Sequence, residues 1–222
     1  MTAYGFKHYI ILLISFVIIR ADVLIVNIYR DAAETGVYAL ASQLASLLLL
    51  LPAVINTLLF QRIAESDSRS VEITCLAARR TAFVMLIICL LAIPGSFALP
   101  LVYGATFIDA IKIFLILLPG VYLLGLELVI VQYFSRTNLP YQIPVFWLAV
   151  LLLNLTINFI FVPKFGAMAA AAASSCSYLL IFLLVTAYFR QITGCSLKEV
   201  FVLTREELGE FLSGKIIIGI FK

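Results

Sequence analysis

Long apolar stretches separated by short polar segments dominate this chain. Six of them contain almost no charge, and they occupy residues 8–28, 36–60, 81–102, 107–134, 141–161 and 166–189. A helix rises about 1.5 Å per residue and the hydrocarbon core of a bilayer is about 30 Å thick, so each stretch is long enough to span it. The sequence lacks the alternation that is typical of barrel strands. The pattern therefore predicts an all-α membrane protein, a bundle of six transmembrane helices.

Composition supports this prediction and excludes several classes of protein. Of the 222 residues, 64% are hydrophobic and 12% are charged, whereas roughly a quarter of a soluble domain is charged. No basic patch interleaved with aromatic residues indicates a nucleic-acid partner. The four cysteines have no CxxC spacing and His8 is the single histidine, so we expect no metal site, redox chemistry or cofactor. Since no catalytic sequence motif is present either, we do not expect an enzyme.

The distribution of basic residues predicts the orientation of the bundle. With the N-terminus inside, eleven of the fifteen Lys and Arg residues fall on the inner side, three fall outside and Arg20 lies within the first span. Without the residues after Arg190, the ratio is still seven to three. Positive charge is enriched on the cytoplasmic side of membrane proteins. We therefore expect a multi-pass protein of the cytoplasmic membrane with both termini in the cytoplasm.

Proline and glycine interrupt several of the predicted spans. Pro52 is expected to kink the second span, while Pro94-Gly95 and Pro119-Gly120 are expected to break the third and fourth. Residues 163–166 are expected to form a tight turn before the sixth span. Such breaks serve as hinges in some transporters, but more commonly they only bend a helix around its neighbours. The small side chains of residues 166–177 favour close helix packing.

The chain divides into a six-helix bundle, residues 1–190, and a tail, residues 191–222. Between residues 196 and 212 the apolar positions follow helical spacing, and Ser196-x-x-Glu199 forms a capping-box pattern at the start. One interpretation is a helix that regulates the bundle or binds a partner. The interpretation that we favour is an amphipathic helix on the inner leaflet of the bilayer.

Two charged residues in the first span are candidates for function, because an ionisable group costs about 2.5 to 3.5 kcal/mol at the centre of a membrane. Arg20 and Asp22 lie about 200° apart around the helix, so they do not pair with each other. Arg20 shares a face with Leu24 and Asn27. We expect at least one of the two charges to meet a partner on another helix. Arg20 either contacts an anionic ligand or serves a structural role, through an ion pair or by extending to the outer interface.

Further polar residues within the spans are also candidates. Glu127 either couples transport to protons or a cation, or stays neutral, hydrogen-bonded and structural, which is the interpretation that we favour. Asn154 and Asn158 are four residues apart and share a helix face. They either contact sugar hydroxyls or, more commonly for such amides, bridge neighbouring helices. The same two alternatives apply to Gln43 and Asn56, the amides of the second span. Asn27 and Gln132 complete the set of candidates for a substrate cavity.

Four stretches of the sequence together resemble a known transporter family. They are RADVLIVNIYRDAAETGVYALA at 20–41, PLVYGATF at 100–107, NLTINFIFVPKFGAMAAAAA at 154–173 and YFRQITG at 188–194. In order and spacing they resemble the second half of the Wzx-type polysaccharide flippases of the MATE-like exporter superfamily. The resemblance covers most of the chain from residue 20 to residue 194.

The resemblance implies one of two six-helix bundles that face each other across a cavity open alternately to either side. The ligand would be a polyprenyl-pyrophosphate-linked oligosaccharide, flipped across the membrane during polysaccharide biosynthesis, with Arg20 on its pyrophosphate. The partners would be the lipid bilayer and a second bundle from the same or another chain. Two alternatives stay open: a cation-coupled exporter of small organic molecules, in which Asp22 and Glu127 matter more, and a non-transporting scaffold of a polysaccharide-assembly complex.

Overall fold

The computed structural model describes residues 2–65, 69–135, 139–196 and 200, and these residues are almost entirely helical. The α-helices in chain order are α1 Thr2–Tyr29, α2 Ala32–Leu47, α3 Leu50–Glu65, α4 Ser70–Ser96, α5 Leu99–Tyr103, α6 Ile108–Val131, α7 Gln142–Phe165 and α8 Ala167–Thr193. Short 3₁₀ helices at Ala105–Phe107 and Gln132–Ser135 flank α6.

Within the described residues, six helical segments are long and apolar enough to cross a membrane. These segments are Tyr9–Tyr29, Ala32–Phe60, Ser70–Ser96, Ala105–Ser135, Gln142–Phe165 and Ala167–Thr193. The protein is an all-α, six-helix membrane bundle, and the predicted fold class is confirmed. The interpretation of residues 196–212 as an amphipathic helix falls largely outside the described residues.

The structure corrects the prediction for the third span. The helix begins at Ser70 rather than at residue 81, so Arg79 and Arg80 lie inside it, and both interact with neighbouring groups. Apolarity alone underestimated its length, because a helix continues through charged residues once packing supplies them with partners. The helix also ends earlier than predicted, at Ser96, and the apolar residues that follow form the separate short helix α5.

Proline residues occupy two kinds of position in this bundle. In the second span the helix is interrupted between Leu47 and Leu50, and Pro52 lies in the first turn of α3, where its missing N–H costs no helical hydrogen bond. The predicted breaks at Pro94 and Pro119 are wrong, since α4 and α6 continue through both. The predicted turn at residues 163–166 is only partly correct, because α7 continues to Phe165 and Gly166 alone makes the turn.

Helix α6 forms the centre of the bundle and contacts α2, α3, α4 and α8. It approaches α8 closely at Gly120, where an added Cβ atom would lie only 2.6 Å from the Cα atom of Ser175. The Ser175 hydroxyl donates a hydrogen bond of 2.6 Å to the carbonyl oxygen of Ile116, one turn earlier on α6. Small residues and a hydroxyl-to-carbonyl bond are typical of membrane helices that pack backbone to backbone.

Two of the connections at the end opposite the N-terminus, α1–α2 and α7–α8, are joined to each other. Asp31 caps α2 by accepting a hydrogen bond from the Glu34 backbone N–H at 2.7 Å. Glu34 in turn accepts a hydrogen bond of 2.6 Å from the Ala167 backbone N–H at the start of α8. Gly166 has a φ of +63°, and a side chain there would collide with the Glu34 carboxylate. These contacts hold the starts of α2 and α8 together, which fixes the depth of the polar residues within the spans.

Candidate functional site

A buried carboxylate joins four helices in the interior of the bundle. Asp22 on α1 is only 1% exposed. Its oxygens accept hydrogen bonds from the Tyr38 hydroxyl on α2 at 3.1 Å, from the Asn158 amide on α7 at 2.8 Å, and from the Ser174 hydroxyl on α8. We call Asp22, Tyr38, Asn154, Asn158 and Ser174 the Asp22 cluster. The prediction that a charge of the first span meets another helix is confirmed for Asp22.

The two asparagines of α7 extend this cluster. Both are fully buried, and the Asn158 amide nitrogen also contacts the backbone oxygen of Asn154 at 3.0 Å and its side-chain oxygen at 3.2 Å. The prediction that they share a face is confirmed, and Asn158 bridges α7 to α1. Sequence analysis did not identify Tyr38 and Ser174. Hydroxyl side chains within apolar spans were the available signal, but Ser174 lies in the small-residue run that was assigned to packing.

A second polar group lines a cavity on the N-terminal side of the Asp22 cluster. Its volume is about 210 Å³, and it is bounded by α1, α3, α6, α7 and the 3₁₀ helix that follows α6. The candidates Asn56, Glu127 and Gln132 meet here, together with Trp147. Most of the remaining lining is aliphatic. We call this space the Glu127 cavity.

Three acceptor atoms in this cavity have no donor among the described residues. They are both carboxylate oxygens of Glu127, which is fully buried, and the amide oxygen of Asn56. The indole N–H of Trp147 lies beside the Glu127 carboxylate and interacts with it, although the two groups do not reach the geometry of a normal hydrogen bond. The side-chain oxygen of Gln132 accepts a hydrogen bond of 3.1 Å from the Ser135 hydroxyl. The structural role that we favoured for Glu127 stays a prediction.

The remaining candidates lie on the surface of the bundle. Arg20, Asn27 and Gln43 are exposed, with Arg20 and Asn27 on the face of α1 opposite to Asp22. Ile19 and Ser42 line one small pocket, so their neighbours Arg20 and Gln43 lie at similar depths on adjacent helices. The predicted shared face of Arg20, Leu24 and Asn27 is confirmed. The structure therefore separates the candidates into a buried cluster, a cavity and an exposed surface.

Arg20 lies close to the middle of its span. It is nine residues before Tyr29, about 14 Å along the helix. Its guanidinium carbon lies 6.0 Å from the centre of the Phe16 ring, one turn towards the N-terminus. The side chain thus extends away from the nearer interface, which disfavours the interpretation of a residue reaching to the outer surface. The contact with the Phe16 ring is the one interaction of the Arg20 side chain that the structure shows among the described residues.

The structure shows no preformed arrangement of metal ligands in its described part. No three His, Cys, Asp or Glu side chains are grouped there. Cys75, Cys89 and Cys195 are buried, and Cys176 is exposed on α8.

Comparison with known proteins adds no relative. No protein-family model, no curated protein and no solved structure matches this chain.

Proposed function

We propose that the bundle forms one wall of a path that carries a polyprenyl-pyrophosphate-linked oligosaccharide across the cytoplasmic membrane, with both termini in the cytoplasm. The observation that carries this proposal is an arginine that is exposed at the middle of a membrane span and has no acidic partner among the described residues. The resemblance of the sequence to polysaccharide flippases supplies the class of ligand.

The cost of Arg20 supports a polar surrounding for its face of α1. A charge facing lipid at this depth costs about 2.5 to 3.5 kcal/mol, and no ion pair within the described residues offsets that cost. A water-filled path or a bound anion removes the penalty. A planar guanidinium can donate two parallel hydrogen bonds to one phosphate group. A pyrophosphate therefore suits this position, because it can accept both bonds.

Two exposed amides lie on α1 and on the neighbouring helix α2. Asn27 lies on the same face of α1, and Gln43 lies at a similar depth on α2. Each amide both donates and accepts hydrogen bonds, as binding to sugar hydroxyls requires. One bundle supplies only one wall, so the proposal includes a second six-helix bundle, from the same or another chain, that covers this surface.

The experiment measures binding of a polyprenyl-pyrophosphate-linked disaccharide to the chain in nanodiscs. A charge-assisted hydrogen bond is worth about 1.5 to 3 kcal/mol, so Arg20→Ala should weaken binding by roughly ten- to hundredfold. Arg20→Lys should retain part of the affinity, because it keeps the charge and loses the two-point contact. Lys164→Ala is the control, since this exposed cation is near the end of α7. Equal binding by Arg20→Ala and the parent chain would refute the proposal.

A transport measurement separates the proposed function from a scaffold. Proteoliposomes are loaded with the lipid-linked sugar in the inner leaflet, and the fraction that becomes accessible to an added lectin is followed over time. Transport predicts a rise that Arg20→Ala abolishes, in a preparation that contains the second bundle. Copurification with glycosyltransferases, together with sugar export that Arg20→Ala leaves unchanged, would favour the scaffold.

A further inference from the structure

The Glu127 cavity is incomplete in hydrogen-bonding terms. Three of its buried acceptors form no hydrogen bond of normal geometry with any described residue, and one of the side chains that bear them is an ionisable carboxylate. Buried polar groups in folded proteins are almost always paired, since an unpaired one forfeits its interaction with water without compensation. A ligand that supplies several donors and a positive charge would satisfy Glu127 and Asn56 together.

The rest of the lining defines the body of that ligand. Aliphatic side chains of α1 and α6 form most of the walls, including Ile11, Leu124 and Leu128, and the ring of Trp147 faces the same space. A cavity of about 150 Å³ is known to hold a benzene-sized molecule, so about 210 Å³ accommodates a small apolar body. Indole rings also attract cations over their faces.

From these observations we propose that the Glu127 cavity binds a primary ammonium group carried on a short carbon chain. The three N–H donors of the ammonium match the three unpaired acceptors, two on Glu127 and one on Asn56. The proposal concerns a different set of residues from those that carry the proposed transport of lipid-linked sugars. It stands whether or not that function is correct.

The position of the cavity allows two sources of such an amine. Its lining on α1 begins at Ile11 and Leu12, within a turn of the start of the first span at Tyr9, and Leu12 is 54% exposed. The cavity therefore lies near the membrane interface on the N-terminal side. A small soluble alkylamine reaches it from that side, and so does the ethanolamine headgroup of a phospholipid in the adjacent leaflet.

The single tryptophan makes the cavity directly observable. Trp147 is the chain's one tryptophan, is 3% exposed and lines the cavity, so its fluorescence reports on occupancy. The chain in phosphatidylcholine nanodiscs is titrated with hexylamine, with hexanol as a ligand of the same body without charge, and with sodium chloride. We expect a saturable change in emission with hexylamine alone. A change in emission with hexanol as large as that with hexylamine would overturn the proposal. So would a saturable change with sodium chloride and none with hexylamine.

Variants test the assignment of the acceptors. Glu127→Gln keeps the size of the side chain and removes the charge, and we expect at least a tenfold loss of hexylamine affinity. Asn56→Ala should weaken binding less, and it serves as the second test if Glu127→Gln fails to fold. Asp109→Asn is the matched control, because this carboxylate is exposed on the first turn of α6 and paired with Lys112. Unchanged affinity in a folded Glu127→Gln protein, or in Asn56→Ala where Glu127→Gln does not fold, would refute the proposal.

A change of lipid separates the two sources. If a headgroup is the natural occupant, Trp147 emission in phosphatidylethanolamine nanodiscs should already resemble that of the hexylamine-bound state, and Glu127→Gln should abolish the difference between the lipids. If a soluble amine is the occupant, emission should be the same in both lipids and hexylamine should bind equally well in each. Either pattern supports the ammonium site, and no response to any amine contradicts it.

Discussion

Removal of the Asp22 carboxylate is the sharpest test of how this bundle is held together. Asp22→Ala eliminates three hydrogen bonds at once, and these bonds connect α1 to α2, α7 and α8. It also leaves the donors Tyr38, Asn158 and Ser174 in a buried region. We therefore expect a loss of stability that exceeds the effect of removing any one donor.

The magnitude follows from the energetics of hydrogen bonds between membrane helices. Measured values average about 0.6 kcal/mol and reach about 1.7 kcal/mol each. Three such bonds predict a loss of about 2 to 5 kcal/mol for Asp22→Ala. Relief from burying the carboxylate offsets part of this loss, so we expect the lower half of the range. Tyr38→Phe and Ser174→Ala each remove one donor and should cost about 0.6 to 1.7 kcal/mol.

The assay is reversible unfolding of the purified chain in mixed micelles with an increasing fraction of denaturing detergent, followed by far-UV circular dichroism. Asp109→Ala is the control, because its exposed pair with Lys112 should contribute less than about 1 kcal/mol. In a double-mutant cycle, Tyr38→Phe should cost little once Asp22 is already alanine. A free energy of unfolding for Asp22→Ala within about 0.5 kcal/mol of the parent chain would refute the reasoning.

Two further predictions concern packing and orientation. Gly120→Ala should cost about 1 to 3 kcal/mol of unfolding free energy in the same assay, because its Cβ atom would meet the backbone of Ser175. Gly36→Ala is the control and should be nearly neutral, because the space around Gly36 is open. Equal effects of the two variants would contradict the close approach of α6 and α8. In a cysteine-free background, an impermeant maleimide added outside intact cells should label Lys164→Cys but not Arg190→Cys, since their helix ends lie on opposite sides of the bundle. Labelling of both would exclude this topology.

The sequence determined the class of fold, because the signal for a membrane helix is local. Each span contains enough consecutive apolar residues to cross the bilayer, and that holds whatever the neighbouring helices do. The two faces of α1 also followed from helical periodicity, which placed Arg20 on one side and Asp22 on the other. The ends of the third span did not follow, since Arg79 and Arg80 lie inside the helix and their interactions leave no mark on hydropathy.

The tertiary structure decided which polar residues act together. Ser174 is 152 residues from Asp22 in the chain, and no local pattern distinguishes it from the other small residues of α8. The sequence placed Glu127 and Asn56 in different spans and favoured a structural role for both. Only the packing of α3, α6 and α7 brings their oxygens to one cavity, where they form no hydrogen bond of normal geometry with the described residues. Hydropathy is a property of a segment, whereas the satisfaction of a buried polar group depends on every helix around it.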